Sequence, residues 1–143
     1  MKQVFDNQPP KAKALWLSKE LKNKIVDILD HKYRGLRVRY WLKNNKSAWI
    51  LEEIGKEKPI TVGIVITNKQ IEQVKVLVFR ESRGWEVRHD FFTDQFKQAQ
   101  LSDDYHLKQS IDNISGATLS VRAVKKLARI ALLLDQTVQQ KSN

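Results

Sequence analysis

The chain contains no cysteine. Disulfides, thiolate metal sites and cysteine nucleophiles are therefore excluded. No run of about eighteen apolar residues occurs, so no segment reads as a membrane-spanning helix. The opening residues Met1–Asp6 lack the apolar h-region of a signal peptide. No Walker-type phosphate loop and no serine nucleophile elbow is present. His31, His89 and His106 are scattered, with no pair at metal-ligand spacing. No carboxylate pair for acid–base work stands out, so no catalytic residue and no metal ligand is assigned. Internal repeats and low-complexity segments are also missing. Acidic residues are in short supply: 16 Asp and Glu face 26 Lys and Arg, a formal charge of +10. That balance raises nucleic acid, anionic membrane surfaces and acidic proteins alike as partners.

What the chain does have is the material of one folded domain. It is 143 residues long, with 41% hydrophobic and 29% charged residues, enough to bury a core and too apolar for disorder. Residues 1–13 are polar, with Pro9-Pro10 enforcing an extended path, and read as a leader. Ser18 is a candidate N-cap with Glu20 in the first turn, and Leu17, Leu21, Ile25, Ile28 and Leu29 form one apolar stripe. Trp16 stands where a hydrophobic staple would. Leu36, Val38 and Tyr40 alternate with Arg37, Arg39 and Trp41, and Asn44-Asn45 then turns the chain into Ala48–Ile54. A second hairpin is expected from Ile60–Thr67 and Ile71–Phe79, with Gly63 marking a bulge or a close approach. Thr93 is a candidate cap for a short helix through Gln95 and Phe96. The expected fold is α+β: a single domain over residues 14–138, an antiparallel sheet of two hairpins with helices packed on it, and a frayed tail at 139–143.

One stretch carries the functional argument. Asp112-Asn113-Ile114-Ser115-Gly116-Ala117-Thr118-Leu119-Ser120 stands directly before the strongest helical pattern in the chain. In that pattern Val124, Leu127, Ala128, Ile130, Ala131 and Leu134 fall at helical spacing, while Arg122, Lys125, Lys126 and Arg129 are left for the other face. A helix start gathers free N–H groups and the positive end of the helix dipole, which suits a phosphate. Gly116 permits close backbone approach, Ser115, Thr118 and Ser120 are donors, and Arg122 adds charge. From residue chemistry alone an ordinary N-cap with no ligand accounts for the same run, and short motifs match by chance so often that the cap is the commoner outcome. Arg37 and Arg39 beside Tyr40 and Trp41 leave a similar choice, between a base-stacking strand and a basic outer face. The basic residues are spread along the chain, and the glycine–aromatic signature of RNA-recognition modules is missing, so the basic face is preferred.

Asp112 followed by Ser115-Gly116-Ala117-Thr118 resembles the flavinylation motif of the FMN-binding domain family. That family includes flavoprotein components of the sodium-pumping NADH:quinone reductase and of the Rnf complex. Upstream, the strand Val76–Phe79 leads into Glu81-Ser82-Arg83-Gly84-Trp85 and then Phe92, Gln95 and Phe96. This resembles the family's Glu-Thr-Pro-Gly loop and the aromatic- and Gln-containing segment after it, with Ser82 and Arg83 in place of Thr and Pro. The resemblance implies FMN as cofactor, joined through its phosphate to Thr118 by a flavin transferase that recognises Asp112. It implies phosphate contacts from Ser115, Gly116, Ala117, Leu119, Ser120 and Arg122. The flavin ring is then expected against Glu81, Ser82, Arg83, Gly84 and Trp85. It further implies electron transfer with a redox protein partner, soluble or membrane-bound, and a periplasmic or otherwise extracytoplasmic protein whose signal peptide has been removed; the dispersed basic residues add the expectation of no nucleic-acid partner. Two rivals remain open: a small flavin reductase of a diffusible substrate, and a basic nucleic-acid-binding module.

Overall fold

A computed structural model of the chain describes residues 4–5, 9–33 and 37–142, with side chains through residue 140. Five strands form one antiparallel meander in sequence order: β1 (Lys13–Trp16), β2 (Arg37–Lys43), β3 (Lys46–Ile54), β4 (Pro59–Thr67) and β5 (Gln70–Phe79). Helix α1 (Lys19–Leu29) lies between β1 and β2 in the chain, and the short α2 (Asp90–Thr93) and long α3 (Thr118–Ser142) follow β5. The fold is α+β.

Both expected hairpins are present and are joined through β3 and β4. Their turns bend at Asn44 (φ +56°), Asn68 (φ +54°) and Lys69 (φ +66°), left-handed positions that Asn tolerates better than most residues. Gly63 lies between two register shifts, and the Leu77 side chain covers it. β1 is a strand that the polar reading of residues 1–13 leaves out, and it begins at Lys13. Its four residues bury only Leu15, too little alternation to register as strand period.

The sheet has a helical face and an outer face. Val38, Tyr40, Trp49, Leu51, Val62, Ile64, Ile66, Val74 and Val76 join the apolar stripes of α1 and α3 in one core. On the outer face Trp41, Ala48 and Val65 pack with Phe5, which is buried there, so the first residues are not wholly a polar leader. Met1–Gln3, Asp6–Gln8, Arg34–Leu36 and Asn143 lie outside the described residues. Tyr40 stacks on Trp49 inside the core at 4.8 Å, and Trp41 is buried beneath the Arg39 guanidinium at 5.0 Å. Neither aromatic is presented for base stacking.

Ser18 caps α1, accepting from the Leu21 N–H at 3.1 Å, and Asp30 ends it at φ +65°. The residue that packs beside the cap is Leu17. Trp16 is 64% exposed and lies under Arg37 on the sheet edge, so it is not a staple. Thr93 ends α2 and caps nothing; its hydroxyl is directed back at the His89 carbonyl. α3 continues to Ser142, through the stretch expected to fray.

Candidate functional site at the start of α3

The motif builds a turn before it builds a helix. The Ala117 N–H donates to the Ile114 carbonyl at 2.9 Å, closing a four-residue turn with Ser115 and Gly116 at its corners. Gly116 has φ +83°, a conformation that costs any other L-residue. Among the described residues, its own chain neighbours aside, no atom lies within 4 Å of where a Cβ on Gly116 would stand, so the glycine is required by conformation and the space above it is open. The first helical bond runs from the Val121 N–H to the Ala117 carbonyl at 2.9 Å. Ala117 has no side-chain acceptor for the N–H groups of the first turn, which have no partner within a helix. The expected Ser or Thr cap is therefore not placed immediately before the helix.

Helix phase then divides the motif. Ser115, Gly116 and Thr118 are exposed and Leu119 is 42% exposed, whereas Ala117 and Ser120 are each 4% exposed. The buried pair faces the loop that sequence reasoning paired with the motif. A Cβ on Gly84 would lie 2.9 Å from Ser120 Oγ and 3.6 Å from the Ala117 Cβ. Gly84 also has φ +87°, so both its backbone and its lack of side chain serve this contact. A Cβ on Gly55, at the end of β3, would stand 3.4 Å from the same Ser120 oxygen. Ser120 is thus a packing residue at the meeting point of three chain segments.

Glu81 is engaged within the fold. Its carboxylate accepts from the backbone N–H groups of Glu57 (3.0 Å) and Lys58. It pins the β3–β4 turn beside the site. Ser82 and Arg83 are exposed. Trp85 opens a 3-10 turn (Trp85–Arg88) and is 53% exposed, with its ring 4.9 Å from His89, which in turn stacks on Phe91 at 5.9 Å. Trp85, Phe91 and Leu119 are among the few large apolar side chains left exposed.

The aromatic- and Gln-containing segment connects to the motif directly. Phe92 and Phe96 are fully buried and meet edge-on at 5.5 Å. Between them Gln95 reaches out, and its Oε1 accepts the Asp112 N–H at 2.7 Å. The Asp112 side chain is exposed. Asn113 Nδ2 donates to Thr118 Oγ1 at 3.0 Å.

On its other side Thr118 opens onto a groove of about 700 Å³ between the end of α1, the returning segment 106–113 and α3. Arg122, Lys125, Lys126 and Arg129 line it from α3, and Asp27 and Asp30 from α1. Lys126 and Arg129 are committed to the fold, donating to the carbonyls of Leu29 (2.8 Å) and Tyr105 (2.6 Å). Burial pulls the Arg129 pKa down, opposed by the charges of Asp30 and Asp104. Arg122 and Lys125 have no side-chain partner among the described residues and remain available to an anion. A neighbouring clasp joins His31 Nε2 to the buried Glu53 carboxylate at 2.8 Å. The Lys32 carbonyl and then Glu53 raise the His31 pKa.

The sequence model of a family described as the FMN-binding domain matches residues 55–133, more than half of the chain. The chain belongs to the FMN-binding domain family. Its cofactor is FMN. A search of curated proteins finds no match. The matched span opens at Gly55 and takes in Gly84, Gln95 and the whole Asp112–Ser120 motif, the segments that meet at this junction. The chemistry of the donors suits such a cofactor: open space over Gly116, an exposed hydroxyl, unpartnered Arg122 and Lys125, and an exposed indole nearby. Among the described residues no group of three His, Asp or Glu is placed to hold a metal, and no helix is long and apolar enough to cross a membrane.

Sequence reasoning missed Gly55, Asn113 and Lys125. Asn113 lies inside the motif run, and Lys125 was legible as the next cation after Arg122 on one helix face. Nothing local marks Gly55 as a partner of Ser120.

Proposed function

We propose that this flavoprotein is an electron carrier with FMN attached through its phosphate to Thr118. A flavin transferase attaches the FMN and reads the exposed Asp112. The carrier then relays electrons between redox partners of an extracytoplasmic or membrane-associated chain. The observation that carries this reading is the exposed Thr118 hydroxyl at the open start of α3, inside the family-matched span. FMN, when bound, supplies the acceptance and release of electrons. The protein's part is to bind and orient. First-turn N–H groups of α3 and the Arg122 guanidinium hold the phosphate charge. Leu119 and Trp85 offer the apolar surface for the ring, and Arg83 lies on the same loop to stabilise negative charge that develops on it. Gly84, Glu81 and Gln95 act behind them by fixing the loop and the motif to each other.

Intact-mass measurement after co-expression with a flavin transferase tests the reading. Wild type should gain one FMN less one water, and Thr118→Ala should gain nothing. An adduct on Thr118→Ala, or none on wild type with a competent transferase, would overturn it. Steady turnover with a dissolved acceptor would instead favour a reductase. Tight, sequence-dependent DNA binding at physiological salt would favour a nucleic-acid module.

A further inference from the structure

We infer that Asn113 is a positioning residue for Thr118: its amide holds the threonine oxygen as an acceptor and so turns the hydroxyl proton outward from the turn. The inference rests on the reading that Thr118 carries FMN.

The geometry isolates this contact. Asn113 and Thr118 flank the Ile114–Ala117 turn, and Nδ2 meets Oγ1 at 3.0 Å. Both residues are exposed, so water competes for the bond and it adds little to stability. Its effect is on orientation. A threonine in a helix divides between two χ1 rotamers, and a fixed donor beside the oxygen selects one of them.

Asn113 is itself fixed from both sides. On its N-terminal side the Asp112 N–H is held by Gln95, whose neighbours Phe92 and Phe96 are fully buried. On its C-terminal side the Ile114 carbonyl is held by the Ala117 N–H. The core therefore sets the position of the turn, and the turn sets the amide.

Attachment needs this orientation. Thr118 Oγ attacks the phosphorus of an FMN unit whose phosphate is activated as a phosphoanhydride. The Oγ–P bond forms, and the anhydride P–O bond breaks with its electron pair leaving on the second phosphate group. The Oγ proton passes to a base of the transferase. A hydroxyl oxygen has two acceptor positions and one proton. With one position occupied by Asn113, the other is left for phosphorus and the proton is left for an outside base. The same amide can still donate to the ester oxygen afterwards.

The test uses the full chain, a purified flavin transferase and flavin adenine dinucleotide as the probe donor, with adduct followed by intact mass. Asn113→Ala should lower the maximal loading rate roughly tenfold, as loss of one oriented hydrogen bond does, with the KM for this chain unchanged. Asn113→Asp keeps the shape and replaces the donor by an acceptor. Its rate at neutral pH should fall at least as far, and relative to wild type it should recover as pH drops and the carboxyl becomes a donor again. Melting temperatures should stay at the wild-type value. A wild-type rate in Asn113→Ala overturns the inference. So does a defect confined to KM, which would make Asn113 part of the transferase's recognition surface only. If wild type itself acquires no flavin, the attachment reading falls and takes this one with it. Loaded wild type with unimpaired Asn113→Ala removes this inference alone.

Discussion

The two sides of the first turn of α3 are built from similar residues and have opposite characters. On one side Ala117 and Ser120 are buried against Gly84 and Gly55. On the other, Thr118, Arg122 and Lys125 face an open groove. Thr118 and Ser120 are two residues apart, which at about 100° per residue puts them on nearly opposite faces of the helix. The closed side fixes where the helix starts, and the open side has room for a ligand. Helix phase, and not residue chemistry, thus decides which of the two hydroxyl residues is buried and which faces the groove.

The strongest test of this contrast is Thr118→Ala. It should remove covalent FMN completely while changing stability by about 1 kcal/mol or less, the scale of one exposed hydrogen bond, here that from Asn113. Denaturant unfolding alongside the mass measurement checks both halves. On the closed side, Gly84→Ala adds left-handed strain and a contact with Ser120, and should cost about 2–4 kcal/mol. Ser120→Gly in the same chain should recover part of that loss, read as a coupling energy in a double-mutant cycle. Additive effects would mean that Gly84 and Ser120 do not press on each other.

Arg122→Ala, tested in the Thr118→Ala background, should weaken non-covalent FMN binding by about tenfold, the scale of one charge-assisted hydrogen bond. Fluorescence titration of FMN reads this, and an unchanged Kd would move the phosphate away from the groove side. Gly116→Ala should cost only about 1 kcal/mol, because its φ is strained but the space above it is open. A cost matching that of Gly84→Ala would show that the turn is packed after all.

The smallest effect concerns pH. The His31–Glu53 clasp ties the end of α1 to the end of β3, two residues before Gly55. The His31 pKa is raised in the folded protein. The clasp's contribution should therefore be fully present below the ordinary histidine value near 6.5 and disappear as pH rises through the folded value. Melting curves of wild type and His31→Gln should converge over that rise. The difference should be small, since half of the His31 side chain is in solvent.

Much of the scaffold was legible in the residues. Alternation marks β2, apolar runs bounded by turn residues mark β3 to β5, Asn residues mark both hairpin turns, and Val121 to Leu134 announce α3. β1 escaped because four residues with a single buried side chain carry no period. Phe5 escaped because its partners Trp41, Ala48 and Val65 lie far along the chain. At the site, the motif and the Glu81–Trp85 loop were both legible as segments. The division of labour within them was not, since Glu81 finds its partners in the β3–β4 turn and Ser120 in two distant glycines.

The sequence by itself determined the parts whose causes are local. Gly116 carries a left-handed turn, small residues precede a strong amphipathic helix, and Thr118 sits beside the first available cations of that helix. Only the tertiary structure decided which of those parts face solvent. That depends on the phase at which α3 packs on the sheet, on two glycines that let separate loops touch Ser120, and on a glutamine anchored between buried phenylalanines that sets Asn113 against Thr118. Backbone conformation is encoded within a few residues, whereas a contact between segments tens of residues apart exists only once the core has formed.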